Sequence, residues 1–305
     1  MSTLLIEKYK PSSLDDIVGN EDTINSLKKS IEKNIFTSLI FYGDIGIGKT
    51  STAICFAKEI VKSRDNITIY NAYDDRNQSS IKIKMDSLVK KKTSEFKVII
   101  FDEFDSVLES TQSVIFEYLE EPYMIFIFIS NKITSILDSM QKRCMLYYFK
   151  HLPDNIIFNY IKDLCDKENI DYTEDGINSI VFSSNGDMRL AINNLNLTYV
   201  GFNTINNNNI FKICNIPEKQ LLIILVENIR KKNLHKAILL TKKFIKMGYN
   251  TSDIIINLFT IVKKYEIDEE YKINFLSKIN KTLYNISSMT SSDLQLYELY
   301  ANMCK

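Results

Sequence analysis

The chain has 305 residues, 45% of them hydrophobic, with 38 Lys and Arg against 38 Asp and Glu. The apolar fraction excludes a disordered chain, and zero formal charge excludes a global basic field that would grip nucleic acid everywhere, though not a local patch. Eight glycines and four prolines are about a third of the usual ~12%, which excludes a sandwich of many short strands and tight turns.

Residues 38–42 (SLIFY) form a short apolar run ending at a glycine and predict the first strand. Residues 50–61 predict a helix, with Ile54, Ala57 and Val61 on one face. Strands are expected at 67–70, at 97–101 (KVIIF, followed by two acids), at 124–130 and at 145–149, with a helix at 113–119. Apolar strands without alternation, separated by helices, indicate a parallel sheet covered on both faces. Beyond Phe149 the pattern turns helical, after the punctuation Leu152-Pro153-Asp154. Helices are expected at 155–168, 174–183 and 187–199, and the polar stretch 201–209 (GFNTINNNN) reads as a linker. Pro217 is well placed near a helix start, and Ile254, Ile255, Leu258, Phe259 and Val262 form an amphipathic stripe. The layout is an α/β domain at 1–150, a small helical domain at 151–205 and a helical bundle at 206–305.

The five cysteines stand apart at positions 55, 144, 165, 214 and 304, and the two histidines are His151 and His235. That pattern argues against a structural zinc site and fits a reducing compartment. The first residues lack the apolar core of a signal peptide, and the longest apolar runs, 124–129 and 221–226, are too short to span a bilayer. The expectation is an intracellular protein with no membrane segment.

Gly43-Asp44-Ile45-Gly46-Ile47-Gly48-Lys49-Thr50 fits GxxxxGK[ST], directly after a strand and directly before a helix. Glycines there let backbone N–H groups turn inward around an anion, and the helix presents its positive end. Lys49 is placed to reach outer phosphates and the Thr50 hydroxyl to ligate magnesium. Asp102 and Glu103 end the strand at 97–101, where open α/β sheets place their ligands. Asp102 is the candidate magnesium partner, and Glu103 the candidate that orients and polarises water. Two acids after an apolar strand are a weak signal alone. Set 53 positions after Lys49, they complete the pattern of nucleoside triphosphate hydrolysis.

Several further segments, in order, resemble the small subunits of replication factor C, the AAA+ clamp loader. Glu7-Lys8-Tyr9-Lys10-Pro11 and Leu14-Asp15-Asp16-Ile17-Val18-Gly19-Asn20 are similar to the family's EKYRP and LDDIVGN. Residues 71–76 (NAYDDR) resemble NASDDR, 102–105 (DEFD) stand where the family has DEAD, and 186–189 (GDMR) agree letter for letter. The resemblance implies an AAA+ ATPase domain with a parallel sheet, a small helical lid and an all-α C-terminal collar. It implies ATP and magnesium as ligands, with Tyr9 and Val18 at the base and residues 43–51 (Gly43, Asp44, Ile45, Gly46, Ile47, Gly48, Lys49, Thr50 and Ser51) around the phosphates. It gives Asn131 the role of a sensor of the attacking water. Arg189 becomes a cation from the lid, and Arg143, in Gln141-Lys142-Arg143-Cys144, a finger into a neighbour's site. Without the family context, Asn131 would read as a polar strand end, and Arg143 and Arg189 as solvated arginines.

The implied partners are other clamp-loader subunits in a pentameric ring, a sliding clamp and primer-template DNA. The implied compartment is a nucleus or a viral replication compartment ahead of an archaeal cytoplasm. Residues 76–97 carry seven basic residues against two acidic, a local surplus of five. Arg76, Lys82 and Lys84 are the candidates for phosphate contacts, against the simpler reading of a solvated helix face. The alternatives are a nucleotide-binding subunit of the ring that does not hydrolyse, or another AAA+ motor such as a branch-migration helicase. The sequence also departs from the family pattern. Asp44 and Ile45 replace Pro-Pro, Lys10 replaces an arginine, Lys142 replaces the serine before the finger, and Phe116 and Glu117 stand where arginines are usual.

Overall fold

In the computed structural model, which describes residues 4–61, 63–71, 78–90, 95–214, 217, 219–264, 268–288 and 293–304, five strands form one parallel sheet. They are β1 (Leu39–Gly43), β2 (Ile67–Asn71), β3 (Lys97–Asp102), β4 (Met124–Ser130) and β5 (Met145–Phe149), in the order β2-β3-β4-β1-β5. β4 is buried along its whole length, because its neighbours β3 and β1 carry apolar runs of matching length in register. Successive side chains alternate between the two faces. Phe41, Val98, Ile100, Ile125 and Ile127 enter a core on one side with Ala53, Phe56 and Ala57. Ile40, Ile99, Phe101, Phe126 and Phe128 enter a second core on the other.

The helices before and among these strands are α1 (Leu5–Lys8), α2 (Glu21–Glu32), α3 (Lys49–Ile60), α4 (Gln78–Lys90), α5 (Glu109–Glu117) and α6 (Asp138–Arg143). The helix expected at 113–119 begins earlier, at Glu109, and gives way to a 3-10 turn at Tyr118–Glu120. Its polar first turn hid it, because Gln112 is fully buried and works as a backbone surrogate. The Gln112 amide donates to Val107 O and Ser135 O, and its carbonyl accepts from Leu137 N.

After β5 come α7 (Asp154–Glu168), β6 (Asp171–Tyr172), α8 (Glu174–Ser184), α9 (Met188–Phe202), β7 (Thr204–Ile205) and α10 (Asn207–Cys214). The linker expected at 201–209 is not a linker. α9 runs to Phe202, Thr204 and Ile205 pair in parallel with Asp171 and Tyr172, and Asn207 opens α10. The polar side chains there serve the turn: Asn206 Oδ1 accepts from Asn209 N at 2.9 Å, and Asn209 Nδ2 donates to Thr204 O.

Residues 1–168 with 184–196 make one compact unit, and residues 169–183 with 197–305 make a second. The second unit contains α11 (Lys219–Arg230), α12 (Leu234–Lys246), α13 (Thr251–Lys264), α14 (Glu269–Ser288) and α15 (Asp293–Met303). The predicted stripe lies on α13, where Ile254, Ile255, Leu258 and Val262 are fully buried. They pack with Leu222, Phe244, Ile279 and Tyr300. The Tyr300 hydroxyl, wholly buried, meets Thr241 Oγ1 at 3.1 Å, and Thr241 in turn donates to Ala237 O. Among the described residues no helix is long and apolar enough to cross a membrane.

Candidate active site

β1 ends at Gly43 and the chain turns through residues 44–48 into α3. Gly46 holds φ +72°, and a Cβ there would lie 1.7 Å from Asp187 Oδ1, so conformation and close approach both require glycine. Lys49, the first residue of α3, is 6% exposed. Its ammonium donates to Gly43 O at 2.8 Å, to Asp44 O, and to Asn131 Oδ1 at 3.1 Å. Burial pulls its pKa below the usual lysine value, and the nearby Arg189 adds to that, while Asp102, Asp44 and Asp105 oppose it. A cation held by carbonyl dipoles and facing three acids has a ready exchange partner in an anion that enters the loop.

β3 delivers the acids. Thr50 Oγ1 donates to Asp102 Oδ2 at 3.0 Å, while Asp102 Oδ1 accepts from Glu103 N at 3.0 Å. Glu103 sits at φ +55°, a left-handed conformation that costs a non-glycine residue about 1 kcal/mol or more. Ser106 secures it by donating to Glu103 O from both its amide and its hydroxyl, at 3.0 and 2.9 Å. Asn131 follows β4, and its amide donates to Asp105 Oδ1 at 3.4 Å.

These groups line one cavity of about 410 Å³. Its polar end is made by residues 45–51 with Asp102, Glu103, Asn131 and Arg189, and its more apolar end by Ile6, Tyr9, Pro11, Ile17, Val18, Leu152, Tyr160 and Ile192, with the charged Glu7, Lys10 and Asp16 also on the lining. The volume suits a small molecule with one apolar and one anionic end. A hydroxyl beside a carboxylate is a hard oxygen pair of the kind magnesium takes with substrate phosphates. The chain therefore fits that ion at Thr50 and Asp102. Among the described residues no cluster of three or more His, Cys, Asp or Glu makes an all-protein metal cage.

The N-terminal segment closes the apolar end. The Tyr9 hydroxyl donates to Glu168 Oε1, and Lys8 Nζ bonds the same oxygen at 2.6 Å. Both bonds hold the Glu168 carboxyl below its usual range, and the Glu168 bond pushes the Tyr9 phenol up. Asp16 accepts from Ser12 N, Ser12 Oγ and Ser13 N, and those bonds pull its pKa down to about 2.

Of the residues singled out from the sequence, Tyr9, Val18, Lys49, Thr50, Ser51, Asp102, Glu103, Asn131 and Arg189 meet at this cavity, with Ile45, Gly46, Ile47 and Gly48. Gly43 and Asp44 contribute backbone carbonyls to Lys49. Arg143 does not line it. At the end of α6, its Nη2 pairs with Glu120 Oε1 at 2.6 Å, both side chains more than half exposed. The helix that carries it is fixed by Gln141 Nε2, which donates to Ile133 O and Ile136 O. Lys82 is exposed on α4, and Lys84 Nζ lies 5.4 Å from the Tyr70 ring. Arg76 lies outside the described residues. Sequence reasoning missed Tyr160, Leu152 and Ile192. Each reads as an ordinary apolar position of a helix or helix start, with no local signal that its neighbour is a cavity.

The AAA model, ATPase family associated with various cellular activities, matches residues 39–152, and the replication factor C C-terminal domain matches residues 217–302. Replication factor C subunit 2 of Arabidopsis thaliana is 31% identical over 98% of this chain and 92% of its own length. The chain belongs to the replication factor C family. Replication factor C subunit 4 of Saccharomyces cerevisiae is 30% identical over 98% of this chain and 95% of that one. Among solved structures, the RuvB Holliday junction branch migration motor of Thermotoga maritima has a TM-score of 0.58 at 18% identity. It covers 73% of this chain and 80% of that chain, and the likeness is one of fold. This replication factor C chain thus carries an ATPase-family, nucleotide-binding α/β fold, followed by the helical C-terminal domain of its family.

Proposed function

We propose that the chain is an ATPase subunit of a clamp loader, which opens a sliding clamp and sets it on primer-template DNA. The observation that carries this reading is the convergence of Lys49, Thr50, Asp102, Glu103 and Asn131 on one cavity of a replication factor C chain. In this reading Tyr9 and Val18 flank the adenine, and the backbone of residues 43–51 and the Lys49 ammonium hold the phosphates. Magnesium, when bound at Thr50 and Asp102, would neutralise charge on phosphate oxygens. Asn131 holds the attacking water. Glu103 accepts its proton as the oxygen bonds to the γ-phosphorus. The bond to the ADP oxygen breaks, and ADP and phosphate leave. Arg189 steadies the charge that develops, and Arg143 does the same at the neighbouring subunit's site.

A finger given to one neighbour and a site completed by the other is a head-to-tail interface, which leads to rings or spirals. We assign the division 1–150, 151–205 and 206–305 to ATPase, lid and collar, the collar holding a pentameric ring together. Arg76, Lys82 and Lys84 contact DNA phosphates and carry no sequence readout. A nucleus or a viral replication compartment is the setting this activity fits.

The test is Glu103→Gln in the assembled complex. Loss of a general base lowers steady-state hydrolysis about 10²–10⁴-fold and leaves ATP binding intact. Unchanged hydrolysis would make this a binding subunit without turnover at its own site. Co-purification with a sliding clamp in ATP, and its loss without ATP, separates a clamp loader from a DNA motor of the same fold.

A further inference from the structure

His151 stands two residues past β5, and the register of the sheet decides what it meets. Phe149 pairs with Gly43, so the residues just beyond them, His151 and Asp44, emerge side by side at the same end of the sheet. His151 Nε2 lies 2.6 Å from Asp44 Oδ2, both side chains being more than half exposed. Buried Phe149 and Leu152 flank the histidine and fix its backbone.

The other side of the imidazole faces a second element. Gly186 is buried at φ +90°, and a Cβ there would lie 2.8 Å from His151 Nδ1. Gly186 opens the turn into α9. Asp187 Oδ1 caps that helix by accepting from Leu190 N at 2.9 Å, and the same carboxylate lies against Gly46. Met188 N donates to Gly46 O at 3.0 Å. Arg189 comes next in the chain and lines the cavity. The phosphate loop is therefore grasped twice by one turn: through Gly46 directly, and through Asp44 by way of the imidazole.

From this juxtaposition we propose that His151 is a positioning residue that couples the phosphate loop to the turn carrying Arg189. The proposal rests on the reading of this cavity as the nucleotide site. Asp44 has its carboxylate on a loop whose inward N–H groups suit an anion, and a bare carboxylate there opposes a triphosphate. The imidazole N–H occupies that carboxylate and draws it toward the α9 turn, while the Asp44 carbonyl stays with Lys49. When phosphates order the loop, Asp44 and Gly46 move as one piece, and the turn at 184–190 is ordered with them.

The experiment is amide hydrogen exchange of the full chain, with and without ATP and magnesium, in wild type, His151→Ala, His151→Gln and Lys49→Ala. ATP slows exchange of the amides at 186–190 in wild type by tenfold or more. His151→Ala still binds ATP, a few-fold more weakly, and keeps only the smaller part of that protection that the direct Gly46 contacts carry. His151→Gln, which retains an N–H donor for Asp44, restores most of it. Unchanged exchange at β3 and β4 verifies that each variant is folded. Equal ATP-dependent protection in wild type and His151→Ala overturns the coupling and leaves the nucleotide site standing, as does ATP binding to wild type with no change at 186–190. A wild-type chain that binds no ATP, like Lys49→Ala, overturns the site itself.

Discussion

Asp16 shows how a surface carboxylate shapes the segment that borders the apolar end of the cavity. Hydrogen bonds from Ser12 and Ser13 take its pKa from the ordinary 3.8 down to about 2. A depressed carboxyl stabilises the folded state above the unfolded value and ceases to do so as pH falls through the folded one. Asp16→Asn is therefore less stable than wild type at neutral pH, and the gap closes as pH drops from about 3.8 toward about 2. Chemical denaturation at a series of pH values measures it. Residue-scale features were legible where backbone chemistry dictates letters. The glycines, Lys49 and Thr50 announce a loop that needs positive φ and an inward cation. Tyr160 was illegible, because a tyrosine on an amphipathic helix looks the same whether it faces a core or a cavity.

At the scale of elements, the five strands could be read almost to the residue, because four are apolar runs too short for a helix and β2 (ITIYN) is a short β-branched and aromatic segment. β6 and β7 could not. Two-residue strands bury little, and the bonds that hold 204–209 are side-chain bonds of asparagine and threonine, which propensity reads as loop. The early start of α5 was hidden in the same way, by a buried glutamine in place of an apolar residue. The α13 stripe was clear, and its energetics follow from full burial. Leu258→Ala removes a side chain with no exposed surface and costs about 2–5 kcal/mol. Tyr300→Phe leaves Thr241 its bond to Ala237 O and costs only about 1 kcal/mol. Thermal unfolding of the two variants checks the order. A larger loss for Tyr300→Phe would mean that the second unit depends on that hydroxyl more than on its apolar packing.

For the molecule as a whole, the proposed trans role of Arg143 bears on whether the chain works alone. Arg143 stands outside its own cavity, on a helix fixed by Gln141, paired with Glu120 in a contact that solvent reaches from both sides. Such exposed pairs contribute about 0–1 kcal/mol, so the Glu120 contact does little to oppose the proposed role of Arg143 at a phosphate. Arg143→Ala leaves ATP affinity of the isolated chain unchanged and lowers hydrolysis in the assembled complex by about 10³-fold or more at the site it completes. Full activity in that assembly would remove the finger and the head-to-tail geometry with it. The family resemblance pointed Arg143 at a neighbour's site, whereas spacing along the chain alone carries no information about which surface an arginine leaves bare.

The Lys49 ammonium is the proposed phosphate anchor of a nucleotide site. Titration calorimetry of ATP with magnesium into the purified chain tests that directly, beside Lys49→Ala. Wild type gives saturable heat with one site per chain, and the variant binds about 10- to 100-fold more weakly through loss of a charge-assisted contact. No heat in wild type, or the same isotherm for both proteins, would contradict it.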